Sequence, residues 1–204
     1  ATSDSPYRFA RLQELLEENK PINSMKAAAI LRDRKGWDDI DLGMGNEMAI
    51  NQLIAHHSVI FLPEQQIMYV STSPWQCGKY MAYDLNKIFS DTVDFHHEIA
   101  TPELTIPEDN FIRQAEYKQF MAYKKLTKLI REKTQRKETL EVQVLNLYEA
   151  SNPSFYYVYE VLGDYHAATQ QTDTAITYWQ KALTMPIPKQ AEKERIQQKI
   201  NKHS

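Results

Sequence analysis

The stretch YEVLGDYHAATQQTDTAITYWQKALTMP, residues 159–186, decides how the C-terminal half of this chain is built. Tyr159, Leu162, Gly163 and His166 fall at helical spacing. Ala175, Trp179 and Ala182 repeat that spacing after Thr172 or Asp173, either of which starts a second helix. Gly163, Ala175 and Ala182 are small, as two antiparallel helices require where they cross closely, and Gly163 is expected to face Ala182. Tyr159, Leu162 and Trp179 carry the volume that fills the space between them. Pro186-Ile187-Pro188 ends the pair, because proline cannot continue a helix.

That order and spacing resemble a tetratricopeptide repeat of about 34 residues. Lys189 to His203 follows with a narrow apolar stripe, Ala191, Ile196 and Ile200, which suits a solubilising terminal cap. Such a repeat implies no catalysis; it presents a surface to a protein partner or a neighbouring domain. A lone repeat buries too little to stand by itself, so the helices before it are expected to pack on it, with any remainder on the first half of the chain. Pro107-Glu108-Asp109 opens a long helix to about Thr134, with Phe111, Ala115, Phe120, Tyr123, Leu126 and Ile130 as its buried positions. A second helix covers roughly Glu138 to Ala150, stopped by Ser151-Asn152-Pro153.

The first 90 residues read differently and hold every glycine except Gly163. Tyr7, Phe9, Leu12, Leu15 and Leu16 predict an amphipathic helix from Pro6 to Glu18, capped by Asp4 or Ser5. Ser24 is read as the cap of an Ala-rich helix through Leu31. Trp37 to Asn46 reads as a loop. His57–Leu62 and Ile67–Thr72 are β-branched and aromatic, and Pro63-Glu64-Gln65-Gln66 between them predicts an antiparallel hairpin. Asp91 to Pro107 has no apolar period and reads as a linker. The expected organisation is α+β: a mixed segment over 1–90, a linker over 91–107 and a helical domain over 108–204.

Composition narrows the function classes. A net charge of −3 supplies no basic field for nucleic acid. No apolar run approaches the roughly 20 residues of a membrane span. The opening residues, Ala1 to Ser5, lack the basic and apolar regions of a signal peptide. The single Cys77 excludes an internal disulfide and any multi-cysteine zinc site. Its surroundings, Trp75-Gln76-Cys77-Gly78, supply no histidine to lower its pKa, so it reads as a buried or half-buried thiol. His56 and His57 are neighbours on an expected strand and point to opposite faces, so they do not chelate one ion together, and neither they nor His96-His97 are followed by a third or fourth ligand at a useful spacing. Asp38-Asp39-Ile40-Asp41 lacks the further ligands of a calcium loop. Gly43-Met44-Gly45 lacks the helix of a phosphate cradle. The basic run Lys118 to Lys137 is interrupted by Glu132 and reads as a solvated helix face. No metal or cofactor is expected.

Residues 4–89 resemble the acyl-coenzyme A:6-aminopenicillanic-acid acyltransferase-like family of N-terminal-nucleophile hydrolases, relatives of the choloylglycine hydrolases. The resemblance is carried by Asp4-Ser5-Pro6-Tyr7-Arg8-Phe9-Ala10-Arg11-Leu12 with Glu14-Leu15-Leu16, by Ala29-Ile30-Leu31-Arg32-Asp33, by the run Asn46 to Phe61, and by the hairpin from His56 through Trp75. It implies the C-terminal segment of an αββα core, followed here by the helical tetratricopeptide-like domain. It also implies amide hydrolysis, or acyl transfer through a thioester, by a cysteine that self-cleavage frees at a chain N-terminus. Arg8 stands where the relatives have an arginine beside that cysteine, with Ser5 before it, so the resemblance marks Arg8 and Ser5 as catalytic-site residues. The nucleophile itself departs: the chain begins at Ala1, Cys77 is internal, and the cysteine is expected on an upstream part of the same protein. The implied substrate is a small-molecule amide or acyl donor. Relatives with such an extension point to an exported bacterial protein, periplasmic or membrane-anchored. The competing reading is a non-catalytic helical-repeat interaction module.

Overall fold

In the computed structural model, which describes residues 5–90, 94, 96 and 98–204, the chain is α+β. The described residues form α1 (Ser5–Glu18), α2 (Ser24–Leu31), β1 (Val59–Leu62), β2 (Ile67–Ser71), β3 (Tyr80–Asp84) and the short α3 (Leu85–Ile88). Then come α4 (Ala115–Arg136), α5 (Val142–Ser151), α6 (Tyr156–Ala168), α7 (Thr172–Leu183) and α8 (Gln190–His203). None of these helices is long and apolar enough to cross a membrane. The expected hairpin is present and is joined by a strand that sequence reasoning left out, giving an antiparallel meander in the order β1-β2-β3. The α2 cap lies one residue earlier than expected: Asn23 is the cap, its side chain accepting from the Lys26 backbone N–H at 2.9 Å, and Ser24 is already helical.

Register fixes what each side of the sheet carries. The rows Ile60↔Tyr69↔Ala82 and Leu62↔Ile67 face α2 and close a small core with Ala28, Tyr80 and Ile106. The opposite face carries two wholly apolar rows, Val59↔Val70↔Met81 and Phe61↔Met68↔Tyr83. None of these six side chains joins either hydrophobic core, and Phe61 is 60% exposed. The stretch expected as a linker docks on the free edge of β3. Tyr80 and Ile106 exchange two backbone hydrogen bonds of 3.0 Å, and the Thr101 N–H reaches the Ala82 carbonyl at 2.8 Å. That contact covers an edge that would otherwise template further pairing.

The helix expected to open at Pro107 begins later. Asp109 accepts from the Phe111 backbone N–H at 3.0 Å and starts a separate 3-10 turn, Asn110–Arg113, and Gln114 is extended before α4 begins. Phe111, Phe120, Tyr123 and Ile130 are buried as the spacing predicts, Leu126 is half-buried, and Ala115 is exposed at the first position of α4. In the α6–α7 hairpin, Tyr159, Leu162, Gly163, His166, Ala175, Trp179 and Ala182 are all buried. Gly163, however, faces Trp179 rather than Ala182: a Cβ on it would lie 2.4 Å from the indole Cδ1. The indole covers the glycine, and its Nε1–H donates to Asp164 at 3.0 Å. In α8, Ile196 and Ile200 are buried while Ala191 is exposed.

The helical core does not stop at the sheet. Leu53 and Cys77 belong to the same buried cluster as Phe111, Tyr148 and Trp179. Polar clasps repeat the connection. Asn152 exchanges two hydrogen bonds with the Met44 backbone (2.9 and 2.8 Å), Ser154 donates to Asp41 at 2.6 Å, and Arg32 donates to the Pro107 carbonyl at 2.8 Å. Gly43 lies against Phe155, where a Cβ would come within 2.6 Å of backbone atoms; its φ of +73° is also one that glycine adopts freely.

Candidate functional site

Arg8 and Arg11 lie on one face of α1, three residues apart, and their environments differ completely. Arg11 is 3% exposed and surrounded by acids. It binds the Asp33 carboxylate through two nitrogens, at 3.1 and 3.0 Å, and reaches Glu14 at 2.9 Å and Asp39 at 2.7 Å. Hydrogen bonds to Asp33 and its neighbours hold the Arg11 guanidinium charge far more firmly than usual, against the effect of burial. In return Arg11 pulls the exposed Asp39 carboxyl below its ordinary range. Glu14 completes the network by accepting from the Asp38 backbone N–H at 3.1 Å. Arg11 thereby ties α1 to the end of α2 and to the turn at Trp37–Asp39.

Arg8 is half-buried and makes one hydrogen bond, from Nη1 to the Glu47 carbonyl at 2.6 Å. Among the described residues it has no carboxylate partner. Most of its five donors are therefore uncommitted, on an arginine whose helix is fixed one turn away. Ser5 is exposed at the first position of α1. The Glu47 loop is itself held from the helical side: the Glu47 carboxylate pairs with Lys189, and Asn46 donates to the Leu42 and Pro186 carbonyls at 3.1 and 3.3 Å. Arg8 thus rests on a loop that the helical module anchors.

The helix spacing that predicted an apolar contact face on α1 misread which residue is inserted. Tyr7, Phe9 and Leu16 stand exposed, and the buried residue of the helix is Arg11. The physical reason is that two acids distant in the chain, Asp33 and Asp39, join Glu14 of the same helix on Arg11, while no described element covers the apolar side chains. The periodicity of one helix carries no information about those acids.

The other expected features resolve plainly. Cys77 is fully buried; Asn51 Nδ2 lies 3.5 Å and Arg34 Nη1 4.0 Å from its sulfur. Burial pushes its thiol pKa up, the reverse of what a nucleophile needs. Arg34 is already paired with Asp109 at 2.8 Å and stacked on Phe111 at 3.9 Å from the ring centroid. His56 and His57 precede β1 rather than lying on it, and both are exposed. His96 is exposed, and His97 lies outside the described residues. In the acidic loop, Asp39 is engaged by Arg11 and Asp41 by Ser154 and the Gly43 N–H (2.9 Å). No group of three or more His, Cys, Asp or Glu side chains converges as for a metal among the described residues.

Chemically, the Arg8 region can hold and orient an anion or a polar carbonyl. The chain matches no protein-family model, no curated protein and no solved structure.

Proposed function

We propose that this chain is the C-terminal portion of an amide hydrolase or acyltransferase of the N-terminal-nucleophile class. In this reading an upstream part of the same protein carries the cysteine nucleophile. Its thiolate attacks the substrate amide carbonyl, the amine leaves after taking a proton from the cysteine's own α-ammonium group, and a thioester remains. Water then releases the acid, or a second amine takes the acyl group.

The observation that carries this reading is the sheet with one face covered by α2 and the other apolar, outside both cores and exposed at Val59 and Phe61. An αββα core needs a sheet of that kind, with a helix outside and an apolar inner face that meets a second sheet roughly 10 Å away. Tyr7 and Phe9 on α1 are exposed apolar side chains as well. Arg8 then acts on the substrate's polar group or on the nucleophile through its uncommitted donors, while Ser5 stands at the start of the same helix. The interaction-module reading has less behind it. Four of the six charged side chains that line the groove between α4, α6 and α8 are paired internally, Glu160 with Arg195 and Lys199, and Asp164 with Lys199.

The test uses the full-length protein. Intact-mass and N-terminal analysis should reveal a mature subunit that begins with cysteine. An electrophilic acyl analogue should label that cysteine, and should still do so in Cys77→Ala. Arg8→Ala and Arg8→Lys should each lower amide turnover by at least about tenfold, because lysine cannot copy a bidentate fork. A full-length chain with no N-terminal cysteine, or full activity in both Arg8 variants, overturns the proposal.

A further inference from the structure

Where the loop carrying Gly45 and Gln52–Ile54 meets α4, a cleft of about 270 Å³ opens at the surface. Its floor is Leu53, Phe120, Tyr123 and Phe155, all buried. The rings form a continuous wall: Phe120 stacks on Tyr123 at 5.9 Å between centroids, and Phe155 meets Tyr123 edge-on at 5.9 Å. Of the polar side chains that line it, the Thr127 hydroxyl is spent on the Tyr123 carbonyl at 2.8 Å, which leaves Lys124 and Gln52.

Both are uncommitted. Among the described residues Lys124 has no carboxylate partner, although most cations elsewhere on the molecule that approach an aromatic ring are also paired with an acid or a carbonyl. Its ammonium group instead lies over Trp75, 4.5 Å from the ring centroid, and 5.8 Å from that of Phe120. The Gln52 side-chain amide makes no hydrogen bond among the described residues. The backbone around the cleft is constrained to this arrangement. Leu53 and Trp75 adopt left-handed φ values of 54° and 42°, which non-glycine residues keep only where the surroundings enforce them. For Leu53 the enforcing contact is its N–H donating to the Asn51 side chain at 2.9 Å. The strain turns Leu53 into the floor and sets Trp75 beneath the Lys124 cation.

We propose that this cleft binds a small amphiphilic monocarboxylate, with its apolar body on the Leu53, Phe120, Tyr123 and Phe155 floor and its carboxylate on Lys124 and Gln52. One cation and one amide match one carboxylate, and the apolar floor disfavours a polar ligand body. The volume lies just below the range of about 300–1,000 Å³ usual for small-molecule sites, which limits the ligand to one ring or a short chain. This site stands apart from the acyl-transfer reading, since its test asks for binding and not turnover.

Octanoate and 4-phenylbutyrate are the probes, titrated into the whole chain while the Trp75 indole N–H resonance is followed by NMR. Saturable shifts with Kd of about 0.1–1 mM are expected for both. The neutral analogues octanamide and 4-phenylbutanamide should bind at least about tenfold more weakly. Lys124→Met keeps an apolar stem on the exposed face of α4, so it should fold, and it should weaken octanoate by about tenfold or more. Lys124→Arg should stay within about threefold of the parent chain. The proposal is overturned if neither carboxylate gives a saturable shift up to about 10 mM, if acid and amide bind equally, or if Lys124→Met binds octanoate unchanged.

Discussion

The two halves of this molecule bury their large side chains very differently. From α4 onward, Trp179, Tyr148, Tyr159, Tyr165, Leu162 and Ile196 are almost fully enclosed. Among the described residues, thirteen of the fifteen large apolar side chains that stand exposed precede residue 105; Val142 and Leu147 are the other two. The helical half supplies most of a closed core, which Leu53 and Cys77 complete, because an antiparallel helix pair presents stripes that face each other. The sheet half has a helix on one side only, and α1 holds its place through the Arg11 ion network rather than by apolar contact. A region with a closed core owes its stability to packing. A region with an apolar face outside both cores can take a further layer, and the acyl-transfer proposal rests there and not on the α6–α7 hairpin.

The sharpest way to break this comparison is Trp179→Ala. The indole is 1% exposed and fills the crossing beside Gly163, so its removal should cost about 3–5 kcal/mol of unfolding free energy. Urea denaturation of the whole chain measures this, and a neutral result would show that the helical core is not closed as described.

A smaller effect is expected from the ion cluster that fastens α8. Burial alone would raise the Glu160 carboxyl pKa, but hydrogen bonds from Arg195 (3.0 and 2.9 Å) and Lys199 (2.7 Å) overcome it and hold the value below the ordinary glutamate range. A folded-state value below the unfolded one gives stability that is present above the unfolded pKa and lost as pH falls through the depressed value, here below about pH 4. Glu160→Gln should cost about 1–3 kcal/mol at neutral pH, since Arg195 is half-exposed and regains water. It should also flatten the acid limb of the stability profile. An unchanged acid limb would mean that Glu160 is not what secures α8.

The smallest effect tests the other side of the comparison. Phe61→Ser removes a large side chain from the bare sheet face, yet it should change the stability of this chain by no more than about 0.5 kcal/mol. In the full-length protein the same substitution should cost about 3 kcal/mol or more, if an upstream sheet covers Phe61. Equal, small losses in both settings would leave the bare face without a partner.

Much of the molecule was legible in the order of residues. The periods of α4, α6 and α7 could be read directly, because a helix shows its stripe within its own span, whereas α1 was legible as a helix but not in the face it buries. The β1–β2 hairpin was legible from its composition and turn. Burial of Cys77 and the smallness demanded at Gly163 followed from residue type. Tertiary structure alone decided the rest, through contacts between residues far apart in the chain. It put Trp179 rather than Ala182 against Gly163, drew Asp33 and Asp39 onto Arg11, and, among the described residues, left Arg8 without an acid. It also docked Thr101 to Ile106 on the edge of β3, a stretch whose own sequence has no strand period. Lys124 shows the same limit: within α4 it belongs to a solvated basic run, and only the approach of Trp75 and Gln52 gives it a place at a cleft. A local period records which residues share a face, whereas which groups come to meet that face depends on how the whole chain packs.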